Sequence, residues 1–170
     1  MKKILLILFI FFNFENSNAE NKIAYININH ILNNSIVGIS ITKHINEIKE
    51  KKIIEFKIIE KKLTEKEENL IKKKNIIEQN EFNDEVNLLQ KEVVDYRNKK
   101  KIFNNEIDKK KIKYTKIVLN TLNPIISKYV EENSIMIVFP KKSIIIAKKN
   151  LDITETVMEL LNNQLNKIEF

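Results

Sequence analysis

Apolar residues recur in the second half of this chain at alternating steps of four and three, and few folds can accommodate such a run. Phe82, Val86, Leu89, Val93, Tyr96, Lys100, Phe103, Ile107, Lys110, Tyr114, Ile117 and Thr121 carry it. Charged residues fill the positions between them, so the stripe predicts one coiled-coil helix of about forty residues, ending at Pro124 or a little beyond. An earlier stripe runs through Ile45, Ile48, Phe56, Ile59, Leu63, Leu70 and Ile77. With Lys52 admitted to it, its first part fits a straighter, eleven-residue repeat. The polar stretch Asn80-Glu81-Phe82-Asn83-Asp84 separates the two and is the expected reversal. Two long amphipathic helices joined by a short link fold back as an antiparallel hairpin, each arm reaching roughly 50 Å at about 1.5 Å per residue.

The rest of the chain has a different texture. Lys22-Ile23-Ala24-Tyr25-Ile26-Asn27-Ile28 is β-branched and aromatic, with Ala24, Ile26 and Ile28 expected on one face of a strand. Residues 134–139 and 143–147 flank Pro140-Lys141-Lys142 and read as a β-hairpin, Pro140 being tolerated at a turn or strand edge. Asp152 or Thr154 is the expected cap of a last helix whose apolar face is Val157, Leu160, Leu161 and Leu165. A single glycine, Gly38, and two prolines leave little turn chemistry, which favours long unbroken elements. The predicted fold is α+β and mainly α: a helical-hairpin arm over 43–116, projecting from a small β-rich body made of 20–42 and 117–170. Three strands have too little core and too many open edges, so the body is expected to oligomerise through them.

The first residues suggest where the protein works. Lys2 and Lys3 precede nine apolar residues, Ile4 to Phe12, and Ser17-Asn18-Ala19 supplies small residues for cleavage after Ala19. This is the layout of a secretory signal peptide over 1–19, and nine residues are too few to span a hydrocarbon core of about 30 Å. Without cysteine, neither a disulfide framework nor a lipid-anchored cysteine is available.

Charge is unevenly distributed. Residues 43–116 hold twenty Lys and Arg97 against fifteen acidic residues, whereas the remainder after residue 19 balances at seven each. The arm therefore carries all of the excess, densest at Lys72-Lys73-Lys74, Lys99-Lys100-Lys101 and Lys109-Lys110-Lys111. A charge run is usually no more than a solvated helix face. Segregation between arm and body adds a field able to draw in acidic chains and anionic lipid or lipopolysaccharide. Ile53, Ile54, Ile58, Ile71 and Ile76 lie beside or off the first stripe. They are either loose isoleucine usage or an apolar wall for weak, unselective binding.

Several function classes fall away. His30 and His44 have no partner at metal-ligand spacing, and no nucleophile–base pair can be read. One glycine excludes a phosphate-binding loop, so neither an enzyme nor a cofactor is expected. A basic isoelectric point suits nucleic acid. The arm aromatics Phe56, Phe82, Tyr96, Phe103 and Tyr114 lie on the stripes, however, and export would separate the chain from nucleic acid.

The order of elements resembles the Skp/OmpH family of periplasmic outer-membrane-protein chaperones. The likeness rests on the leader, the strand KIAYININ (22–29), Gly38 before the first arm, the basic hairpin, SIMIVFP (134–140), SIIIA (143–147) and LDITETVMELLNNQL (151–165). Asn29 stands where the family pattern would carry Asp, and Asn33-Asn34-Ser35-Ile36 lacks its proline. The resemblance implies a jellyfish-like homotrimer whose strands form a shared barrel and whose arms enclose unfolded outer-membrane proteins without ATP. On that reading Ile23, Tyr25, Ile135, Ile137, Phe139, Ile144, Ile145 and Ile146 would build the trimer contact. The isoleucines above, with Lys72, Lys73, Lys74, Lys99, Lys100 and Lys101, would meet the client. The other reading is an envelope adaptor coiled coil that bridges two fixed partners.

Overall fold

A computed structural model describes residues 22–170; the leader expected over 1–19 lies outside the described residues. The chain opens with strand β1 (Lys22–Ile26), then a short helix α1 (Ile28–Asn34). Two long helices follow, α2 (Ile36–Lys73) and α3 (Gln79–Glu132). Strand β2 (Ile135–Pro140), two single 3-10 turns and helix α4 (Thr154–Gln164) complete it.

The expected hairpin is present, with two shifts of boundary. The reversal occupies 74–78, not 80–84. Lys74 N–H donates to the Ile71 carbonyl at 3.3 Å and Ile76 N–H to that of Lys73 at 2.8 Å, so the helix closes on tight turns without glycine. Asn80 to Asp84 instead open α3, where the carboxylate of Glu81 favours the positive end of the helix dipole. The same helix runs through Pro124 to Glu132. Proline removes the donor that would reach the Asn120 carbonyl, and both residues lie on the exposed face, where water can serve that carbonyl.

At the body, β1 and β2 pair in parallel, Ile23 opposite Ile137 and Tyr25 opposite Phe139. Parallel neighbours need a crossover connection, and here the whole hairpin is that connection. Strand β1 stops at Ile26, two residues before expected. Asn27 caps α1 by accepting a hydrogen bond from His30 N–H at 3.0 Å, so Ile28 begins a helix and does not extend the strand. Ala24, Tyr25 and Ile26 are all buried, so the strand is covered on both sides.

The expected third strand is not formed. Residues 141–143 make a 3-10 turn, and Ile144 to Ala147 are irregular. Pro140 ends β2 and the 3-10 turn directs the chain away from it, so 143–147 does not pair along the β2 edge. The cap of α4 also differs from expectation. Ile153 holds the cap position with no side-chain bond, while Asp152 Oδ1 accepts from Thr154 N–H at 3.0 Å just outside it.

Packing is concentrated where the arm leaves the body. Ile31, Val37, Ile45, Ile107, Tyr114, Val118, Leu122, Val157 and Leu161 form one buried cluster with Ala24, Ile26 and Ile153. The core therefore reaches outward along the helices to Ile45 and Ile107, inside the span read as arm. Gly38 makes this junction feasible: a Cβ there would lie 2.0 Å from the Leu32 carbonyl oxygen. Between α3 and β2, Ser134 takes φ 54°, a left-handed position that glycine would fill at less cost.

Candidate functional site

The two arms are held by a thin seam. Phe56 is buried and meets the edges of Tyr96 and Phe103, each ring centroid 5.8 Å away. Lys66 spans to Glu92 at 2.5 and 2.6 Å, and Lys73 to Glu85 at 2.7 Å. Glu60 accepts from the Tyr96 hydroxyl and from Lys100 at 3.1 Å. These two bonds, the Tyr96 one foremost, hold the Glu60 carboxyl below its ordinary value. Burial first and the Glu60 bond second push the Tyr96 phenol up, while Glu60 raises Lys100. Exposed cross-arm pairs of this kind are screened by water, so they align the helices more than they stabilise them.

This seam divides the lysines read as client contacts. Lys73 and Lys100 are engaged across the hairpin. Lys72, Lys74, Lys99 and Lys101 are exposed and have no ion pair among the described residues. The isoleucines off the first stripe are open to solvent: Ile53 48%, Ile54 62%, Ile58 53%, Ile71 66% and Ile76 79% exposed. Helix α3 adds Leu88, Val94, Ile102 and Ile112, each more than half exposed, which the stripe alone did not single out. Their signal was available in part: Leu88-Leu89 and Val93-Val94 are doublets, and a seam buries only one member of each. The arm is thus a slender rod with basic and apolar side chains side by side on its outside.

The second surface is on the body. Ile23, Phe139, Ile144, Ile145 and Ile146 line a shallow hollow of about 540 Å³. Ile145 and Ile146 are almost wholly exposed, and Ile137 and Met136 continue the apolar area along β2. The other trimer candidates sit differently. Tyr25 reaches the floor of this hollow but is buried beneath the Lys141 ammonium, which lies 5.7 Å from its ring centre, and Ile135 packs against the core. Beside Tyr25, its carbonyl accepts from Ile153 N–H at 3.0 Å, so the outer edge of β1 is partly covered. The outer edge of β2 has no partner among the described residues.

Among the described residues, no group of three or more His, Asp or Glu side chains could hold a metal ion. No described helix is long and apolar enough to cross a membrane.

A single chain with a parallel strand pair, a long crossover hairpin and a small capping helix has a known counterpart. The OmpH-like outer membrane protein family matches residues 22–161. This chain belongs to that family. Among solved structures, an OmpH-like protein from Caulobacter crescentus CB15, described as a candidate outer membrane chaperone, shares the fold with a TM-score of 0.75. It is 18% identical, over 87% of this chain and 88% of that one. Among curated proteins none matches.

Proposed function

We propose that this protein is an ATP-independent holding chaperone of the periplasm. It captures unfolded outer-membrane proteins between basic helical arms and keeps them from aggregating. The observation that carries this reading is the arm's surface, where Ile53, Ile54, Ile58, Ile71 and Ile76 stand exposed beside unpaired lysines on a hairpin with almost no core of its own. Dispersed apolar contacts bind without choosing among sequences, and neighbouring cations recruit acidic chains from a distance. Membership of the OmpH-like family supports the same reading. In the working assembly three copies join through the body at Ile23, Ile137, Phe139 and Ile144–Ile146, and the arms face a common space. Anionic lipid or lipopolysaccharide is a secondary partner for the lysines.

The test is suppression of aggregation when urea-unfolded outer-membrane protein is diluted into buffer. The protein should suppress aggregation of several unrelated barrels. Changing Ile53, Ile58, Ile71 and Ile76 together to Ser should weaken suppression clearly while circular dichroism stays unchanged, because Phe56, Leu63 and Leu70 still hold the seam. Each fully buried Ile contributes about 1.5–3 kcal/mol, and transient contacts realise only part of it. An adaptor would instead bind one folded partner through a compact hot spot and suppress nothing.

A further inference from the structure

Beyond α4 the chain turns back across the root of the arm. Leu165 N–H donates to the Leu161 carbonyl at 2.7 Å, and after it no hydrogen bond or ion pair joins residues 166–170 to any of the described residues. Two side chains hold this segment. Ile168 is buried in the core cluster, and Phe170 stacks on His44 with ring centroids 3.9 Å apart and planes 11° from parallel. Tyr114, itself buried, flanks this stack, its ring nearly perpendicular to that of Phe170 at 5.4 Å and 6.1 Å from that of His44. His44 belongs to α2 and Tyr114 to α3, so the slot is built by both arms where they enter the body. Lys167 and Glu169 point outward and half of Phe170 remains exposed. The segment therefore binds as an extended strand does, with alternate side chains inward and its backbone free.

We infer that this slot is a recognition site for extended segments with an aliphatic residue two positions before an aromatic one, and that residues 166–170 fill it in cis. The inference deepens the chaperone reading and rests on it. Strands of outer-membrane barrels alternate apolar and polar residues and carry aromatic girdles, so an unfolded barrel offers many such segments. A tethered occupant has a high effective concentration and outcompetes a single weak segment. A client that presents several at once displaces it. The tail then sets a threshold, so that the slot engages long unfolded barrels and ignores isolated apolar peptides.

The test uses the full chain, the variant Phe170→Ala and a chain ended after Asn166. The probe is a peptide with the sequence Asn-Lys-Ile-Glu-Phe, and its control has alanine at both apolar positions. His30 and His44 are the only histidines, so the His44 ring protons can be followed directly by NMR. Phe170→Ala should shift them by removing the stacked ring, and the peptide should restore them whereas the control should not. The peptide should bind Phe170→Ala and the shortened chain at least ten-fold more tightly than the full chain. Equal binding to all three, or no restoration at millimolar peptide, would overturn the slot. If the shortened chain loses helicity, Phe170→Ala alone decides, since it leaves Ile168 in place. Aggregation suppression is read in parallel. Suppression without peptide binding removes the slot and leaves the holding function, whereas no suppression by any of the three removes the function itself.

Discussion

Gly38 shows how one missing carbon can set a junction. Its backbone is helical, so its role is space: α1 and α2 approach closely enough that any Cβ would overlap the Leu32 carbonyl. The N–H of the same residue donates to Ser35 Oγ at 3.2 Å, capping α2. Gly38→Ala should therefore lower stability by at least about 2 kcal/mol, against the usual gain of an alanine in a helix, because backbone must move. The urea midpoint measures it, and an unchanged or raised midpoint would refute the close approach. Asp152 is the other residue on which several elements depend. Its Oδ2 accepts from Lys141 at 2.8 Å, its Oδ1 from Thr154, and Thr154 Oγ1 accepts from Asn27 N–H at 2.9 Å. Desolvation raises the Asp152 carboxyl, but Lys141 and the two Thr154 bonds outweigh it and the net shift is downward. A carboxyl depressed by folding stabilises the protein above its ordinary value near 3.8, and that contribution is lost as pH falls through the lower folded value. Asp152→Asn should cost about 1 kcal/mol at pH 7, since Lys141 is half exposed and screened, and the gap to the parent should narrow in urea melts as pH falls below 3.8.

Among the elements, the hairpin was the part most legible in sequence. Every apolar member of both stripes is buried or partly buried, whereas Lys100 and Lys110 on the second stripe are exposed. Period alone gives this result because a helix in a two-helix contact has one face to bury. Boundaries were less legible: the reversal moved to 74–78 because any polar helical stretch can serve as the start of a helix, and Asn80 to Asp84 do so. Pro124 failed to stop α3 because it falls on the solvent side. The clustered arm lysines lead to a prediction at this scale. Client capture should slow as salt rises, with the Debye length contracting from about 30 Å at 0.01 M to about 3 Å at 1 M. The loss should appear in association and leave dissociation little changed in stopped-flow traces. A salt-independent on-rate would show that the apolar residues act alone.

At the scale of the whole molecule, the proposed assembly rests on the body. Among the described residues the body offers a two-stranded sheet whose β2 edge has no partner and a run of isoleucines standing in water. Ile145 is 99% exposed in the single chain, so Ile145→Asp has nothing to disrupt there. If three copies bury that residue, the same change places an unpaired carboxylate in their contact, at a cost of several kcal/mol. The expected result is a trimer by light scattering for the parent and a smaller species with unchanged helicity for Ile145→Asp. A monomeric parent would remove the proposed assembly. The failure of the expected strand over 143–147 belongs here as well. Strand propensity describes a side chain suited to a pleated surface, and the 3-10 turn at 141–143 carries the segment away from the open edge of β2 before it can pair.

By itself the sequence determined the helical hairpin, the β character of 22–26 and 135–140, the final helix and the concentration of positive charge on the arm, because period, propensity and charge are local properties. Tertiary structure alone decided the rest. It chose which lysines cross the seam to Glu60, Glu85 and Glu92, and it buried Tyr25 while leaving Ile145 in water. It also brought Phe170 against His44 and Tyr114, which are separated from it in the chain by 126 and 56 positions. Such contacts depend on where a long crossover returns the chain, and no local pattern encodes that distance.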